Sequence, residues 1–131
     1  MLLEQAASEQ KIELSPAADD AEFVRRIYLD LIGRIPTANE ARSFFAEEAA
    51  DKRVKLVDKL LAHPAHPQRM AEMFHVMLME RRGDDPEWAS FLRHVFAENE
   101  SWDAIASAIL NPDAEDKSRR GAAYFITSRL V

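Results

Sequence analysis

Three groups of side chains in this sequence have types and spacings that could do chemistry. The first is Arg26, Asp30 and Arg34, at steps of four within the stretch DDAEFVRRIYLDLIGRIPT. On a helix they fall on one line. Asp30 comes at the last turn, where the helix dipole disfavours an acid. It is therefore expected to be paired, with Arg34 in the better orientation, with Arg26, or with an arginine of another helix. The structural reading is an ion pair that ties the helix end to the turn beyond it. The chemical reading makes Asp30 the candidate catalytic carboxylate.

The second group is His63 and His66 in His63-Pro64-Ala65-His66-Pro67. A three-residue spacing suits a metal when both rings sit on one helix. Here two prolines intervene and no carboxylate stands within four residues, too few ligands for a closed site. The stretch reads as a turn. His75 and His94 are isolated and read as half-exposed structural residues. The third group is Met70, Met73, Met77 and Met79, whose thioethers could ligate haem iron or line an adaptable groove. Met70, Met73 and Met77 lie at core spacing, and Met79, off that stripe, is expected to be exposed.

Other chemistries lack their residues. There is no cysteine, hence no disulfide, thiol nucleophile, zinc–thiolate site or covalent c-type haem attachment. No His-Glu-x-x-His, phosphate loop or nucleophile elbow occurs, and 3 glycines do not suffice for a backbone phosphate cradle. The expectation is no metal and no cofactor. A net charge of −6 argues against a nucleic-acid partner, which needs a basic surface to displace counterions. No run of about 18 apolar residues is present for a membrane span, and Met1-Leu2-Leu3 passes directly into Glu4-Gln5, unlike a signal peptide.

The elements that would position these residues are helices. A chain of 131 residues with 47% apolar and 31% charged residues reads as one soluble globular domain over 1–131. Residues 1–15 read as a weak N-terminal helix. Asp19 or Asp20 can cap a helix from Asp20 to Ile32, with Phe23, Val24, Ile27, Tyr28, Leu31 and Ile32 as its apolar face. Gly33 ends it, Ile35 is placed to pack back on it, and Thr37 with Glu40 forms a capping box for the next helix. That helix runs from Ala38 to Ala49 with Phe44 and Phe45 inward. Lys52–Ala62 follows, with Val54, Val57, Leu60 and Leu61 inward. A further helix from Pro67 to Arg82 has Met70, Met73, Phe74, Met77 and Leu78 as its inner stripe. One starting at Pro86 buries Trp88, Phe91, Leu92, Val95 and Phe96, and Trp102–Leu110 buries Ile105 and Ile109. Trp88 and Trp102 read as anchors in the core or at a partner surface. Residues 112–121 read as an exposed loop, and 122–131 as a helix or a short strand. The fold class is all-α, an irregular bundle of six to eight short helices.

Arg25, Arg26, Tyr28, Leu29, Asp30, Leu31, Gly33, Pro36 and Thr37 carry a resemblance. So do Asp51-Lys52-Arg53, the run Leu56 to Leu61, and Pro64. The pattern resembles a planctomycete cytochrome-associated domain family of unknown function, over about Ser15 to Leu110. The resemblance implies a helical module in a large exported protein, often beside a c-type cytochrome domain. It implies no catalytic residue. Where many members resemble Trp-Leu-Asp, this chain reads Phe74-His75-Val76.

Three functions are open on these grounds. The first is a non-catalytic interaction module whose partners are other domains of the same or a partner protein, the chain itself being a monomer. The second is an enzyme component contributing a carboxylate site at Asp30. The third is an electron-transfer accessory that docks a cytochrome domain without holding haem.

Overall fold

The computed structural model describes residues 16–80 and 83–128. The expected weak helix at 1–15 lies outside the described residues, as do Arg81, Arg82 and 129–131. The described residues form α-helices joined by short turns, with no strand among them. The helices are α1 (Asp20–Ile32), α2 (Ala38–Ala46), α3 (Lys52–Leu61), α4 (Ala65–Met79), α5 (Pro86–Ala97), α6 (Trp102–Leu110) and α7 (Ala123–Thr127), the last entered through a 3-10 turn at Arg120–Ala122.

Local signals define the first half. The Asp19 carboxylate accepts from the Glu22 amide at 2.8 Å, supplying one of the orphan donors of the first turn of α1 with a partner. Gly33, at φ +75°, closes the helix with its N–H on the Leu29 carbonyl. Thr37 and Glu40 cap α2 reciprocally. Asp20 then reaches across to α3, taking Lys52 Nζ at 2.6 Å and Arg53 at 2.8 Å. Behind this clamp Val24, Tyr28, Ile32, Phe44, Leu56 and Leu60 form one buried cluster.

The second cluster belongs to α4, α5 and α6. Trp88, Phe91, Leu92, Val95, Ile105 and Ala108 are its centre, closed by Ala71 and Met79 of α4 and by Ala122. Asp85 caps α5 by accepting from the Trp88 amide at 2.8 Å, with Pro86 in the first turn. The 3-10 turn comes so near the start of α5 that a Cβ on Gly121 would lie 2.1 Å from the Glu87 carbonyl oxygen and 2.9 Å from the Trp88 nitrogen. Only a residue without a side chain permits that approach, which seats Ala122 fully in the core.

α4 joins the two clusters. Ala65, at its start, packs on the first, while Ala71 and Met79 belong to the second. His66 Nδ1 sits 2.8 Å from the Leu31 carbonyl of α1. The Arg69 side chain lies over Gly33, whose missing Cβ makes room for it.

Several expected faces are corrected. Phe74 and Leu78 pack on the second cluster as expected, but the fully buried residues of α4 are Ala71 and Met79, while Met70 and Met73 are half-buried and Met77 is exposed. Met79 is 1% exposed and Met77 63%, the reverse of the expectation. Apolar residues surround α4 on nearly every side, so spacing alone could not pick the buried face. Ile35, Phe45, Val54 and Leu61, expected inward, are exposed, because the shallow first cluster is filled by Phe44, Leu56 and Leu60. α2 ends at Ala46, and α4 begins at Ala65 rather than Pro67, which brings His66 into its first turn. Residues 123–127 are helix rather than strand, and the segment 112–121 is not wholly exposed, since Gly121 is buried.

Candidate functional site

Asp30 is exposed and makes no hydrogen bond or ion pair among the described residues, which corrects the expected pairing. Its two expected partners are engaged elsewhere. Arg26 pairs with Glu22 one turn back. Arg34 forms a two-pronged pair with Glu40, at 2.8 and 2.7 Å, and its guanidinium lies over the Tyr28 ring, 5.4 Å from the centroid. The turn at Gly33 swings Arg34 away from the line of α1 and towards the α2 cap. Asp30 also lines neither of the two grooves described next.

Both grooves flank α4. The first, of about 570 Å³, runs between α4 and α5. It exists because Ala71 and Ala89 stand on its two sides where larger residues would fill the space. Leu92, Val76 and Pro86 contribute apolar wall, and Glu72, Asp84 and Arg93 contribute charge. His75 is its central polar group. The Trp88 indole N–H donates to His75 Nδ1 at 3.1 Å. An indole can only donate, so Nδ1 is the acceptor and the neutral ring carries its proton on Nε2. That Nε2 is 3.9 Å from Asp84 Oδ1, too long for a direct hydrogen bond.

The second groove, of about 590 Å³, lies on the other side of α4, where the turn before it meets the α5–α6 turn. His63, His66, Met70, Phe96, Trp102 and Leu61 line it. Trp102 opens α6 with its ring against Phe74, centroids 4.9 Å apart, yet is 58% exposed. The two histidines hold opposite tautomers. His63 Nδ1 accepts from the Ala65 amide at 3.0 Å, leaving its proton on Nε2. His66 Nδ1 faces a carbonyl oxygen, which only accepts, so Nδ1 holds the proton and Nε2 keeps its lone pair. The prolines that interrupt the pair thus give the rings different partners. Among the described residues no group of three or more His, Asp or Glu could hold a metal ion.

Elsewhere the acids serve structure. Glu40 is held well below the usual carboxylate range, first by Arg34 and then by the Thr37 backbone and hydroxyl. Lys52 and Arg53 lower Asp20, Lys55 lowers Asp51, and Ser118 lowers Asp116. Glu100, at the edge of the second groove, takes Arg119 at 2.8 Å, with His94 Nε2 at 4.0 Å. His94 is therefore not part of either groove's polar lining. No described helix is long and apolar enough to cross a membrane.

The His75–Trp88 hydrogen bond escaped sequence reasoning, since thirteen positions separate the residues. One signal existed: a histidine next to Phe74 and an indole at the opposite end of the α4–α5 turn. The exposure of Trp102 likewise had no local mark. No curated protein and no solved structure matches this chain. A family model does match, over residues 1–130. That span covers both clusters and both grooves, and the chain belongs to the PSCyt2 family, proteins of unknown function (DUF1549).

Proposed function

We propose that the chain is a non-catalytic interaction module that docks another domain, of its own protein or of a partner, against the Trp102 groove. One observation carries the reading. Trp102 is 58% exposed on a groove of about 590 Å³, with Leu61, 46% exposed, on the same rim. A tryptophan beside an aliphatic residue in a cleft is the composition of an interface hot spot. Glu100 in the groove's lining is paired with Arg119, while Glu98 and Asp103, close in sequence to Glu100 and Trp102, are exposed, and the chain carries −6 overall. A docking domain with a basic face is therefore favoured. The same reading takes 1–131 as one domain, because α4 serves both clusters.

The enzyme alternative loses its motive, since Asp30 stands alone in solvent away from both grooves. The electron-transfer alternative is the special case in which the docked domain carries haem, as the family resemblance suggests. A basic c-type cytochrome is the probe for both. Trp102 emission is followed by lifetime as the cytochrome is added, with Trp102→Phe as control and the buried Trp88 as internal reference. Saturable quenching of the Trp102 component, weakened by salt, is expected. A titration curve identical in parent and control would overturn docking of this partner at Trp102.

A further inference from the structure

The groove between α4 and α5 has a shape and a charge that its own residues do not satisfy. Ala71 and Ala89 leave a gap at a seam between two packed helices, and Val76 at its mouth is 44% exposed. The stretch Gln68 to Val76 follows the groove for about two helical turns, roughly 12 Å. Three acids border it. Asp84 is fully exposed with no hydrogen bond, Glu72 accepts from Gln68, and Asp85 is occupied by the Trp88 amide. Among the described residues Arg93 is the cation in its lining, and its Nε donates to the Ala89 carbonyl. His75, oriented by Trp88, presents Nε2–H as a donor between these acids.

We propose that this groove binds an amphipathic helix of a partner protein. The helix inserts a bulky apolar side chain between Ala71 and Ala89 and sets lysine or arginine against Glu72 and Asp84. A paired-helix seam with small residues on both sides is the geometry that admits a third helix, read through anchors one turn apart. Among the described residues the excess of acid over base at the rim, Glu72, Asp84 and Asp85 against Arg93, selects a basic partner over an acidic one. His75 Nε2–H adds a donor for a carbonyl or side-chain oxygen of the incoming helix. The inference extends the docking reading but uses the face of α4 opposite Trp102, so each can fail alone.

The test uses a fluorescent, acetylated peptide of roughly 18 residues, long enough for a stable helix, with leucine and lysine at helical spacing. A glutamate-for-lysine counterpart and a scrambled lysine peptide accompany it. Anisotropy should show saturable binding of the lysine helix alone. Ala89→Leu, which fills the groove from an exposed position, should weaken it by about tenfold, and Asp84→Lys should weaken it severalfold. Trp102→Ala should leave it unchanged. Equal binding of the scrambled peptide, or binding indifferent to Ala89→Leu, would overturn the site. Loss on Trp102→Ala alone would assign the peptide to the other groove and equally overturn it. Sedimentation showing a dimer abolished by Ala89→Leu would give the groove to a second copy of this chain instead.

Discussion

Replacing Gly121 by alanine tests how the C-terminal turn is held. Gly121 is not in the left-handed region, so its backbone suits any residue. With free space around it, alanine would stabilise the fold by about 0.4–1 kcal/mol, by restricting the unfolded chain. The structure reverses that sign. The new methyl would meet the Glu87 carbonyl oxygen at 2.1 Å and the Trp88 nitrogen at 2.9 Å, and these are backbone atoms of a capped helix start that cannot rotate away. Overpacking of this kind costs about 1–3 kcal/mol. Relief by moving α5 would also strain the Asp85 cap on the Trp88 amide, worth about 1 kcal/mol. After the unfolded-state gain is subtracted, a loss of about 1–3.5 kcal/mol remains. For a chain of this length that lowers the melting temperature by roughly 3–11 °C. Urea unfolding followed by circular dichroism, together with thermal melts, measures it. Gly33→Ala is the comparison. Its φ of +75° is costly for alanine, but the atom it meets is the flexible end of Arg69, so about 1 kcal/mol is expected. A Gly121→Ala protein as stable as the parent, or more so, would refute the close approach of the 3-10 turn to α5.

Two further outcomes are expected. Asp30→Asn should change stability by no more than about 0.5 kcal/mol, as for an exposed residue without partners, and in the stabilising direction, since it removes an acid from the negative end of α1; a loss beyond about 1 kcal/mol in urea titrations would reinstate an ion pair. The carboxyl of Glu40 is depressed below its ordinary 4.5 by Arg34 and Thr37, so its contribution is complete above that value and is lost as pH falls through the folded value. Melts of parent and Glu40→Gln should therefore differ most near neutrality, begin to approach each other below about pH 4.5 and meet only well below it, as the folded carboxyl is protonated, and a constant gap across the range would show that the pair is not coupled to folding.

The parts of the fold legible in the sequence are those decided within a few residues. Asp19 before α1, Gly33 after it, Thr37 with Glu40, and Asp85 before Pro86 all act on backbone groups no more than four positions away. The parts that were not legible depend on what stands opposite. Arg34 has two acids in reach, and only the path of the chain through Gly33 decides for Glu40 over Asp30. Phe44 and Phe45 are equally apolar, and the neighbouring helices bury the first and leave the second in solvent. The methionine helix is apolar nearly all round, so its periodicity fits two adjacent stripes, and the packing of α5 chooses between them. The grooves were hidden for a related reason. They are made by small residues, Ala71 and Ala89, and an alanine carries no mark of the space beside it. Of the residues with chemical potential, the sequence drew attention to Asp30, which the fold leaves idle. The histidines it set aside, His63 and His66 as a turn and His75 as an isolated structural residue, are the ones that line the clefts.

The double membership of α4 has a consequence for how the molecule breathes. A helix usually opens with the cooperative unit it belongs to, and its amide protons exchange with solvent at one characteristic free energy. α4 is divided: Ala65 and the His66–Leu31 tie hold its first turn to α1, while Ala71 and Met79 fasten the remainder to α5 and α6. An excursion that frees α1 to α3 would release that first turn together with Arg69, whose side chain lies over Gly33. Protection along α4 should then rise in a step after Arg69 instead of fading evenly from the middle, so that one continuous helix reports the separate stabilities of two neighbouring units.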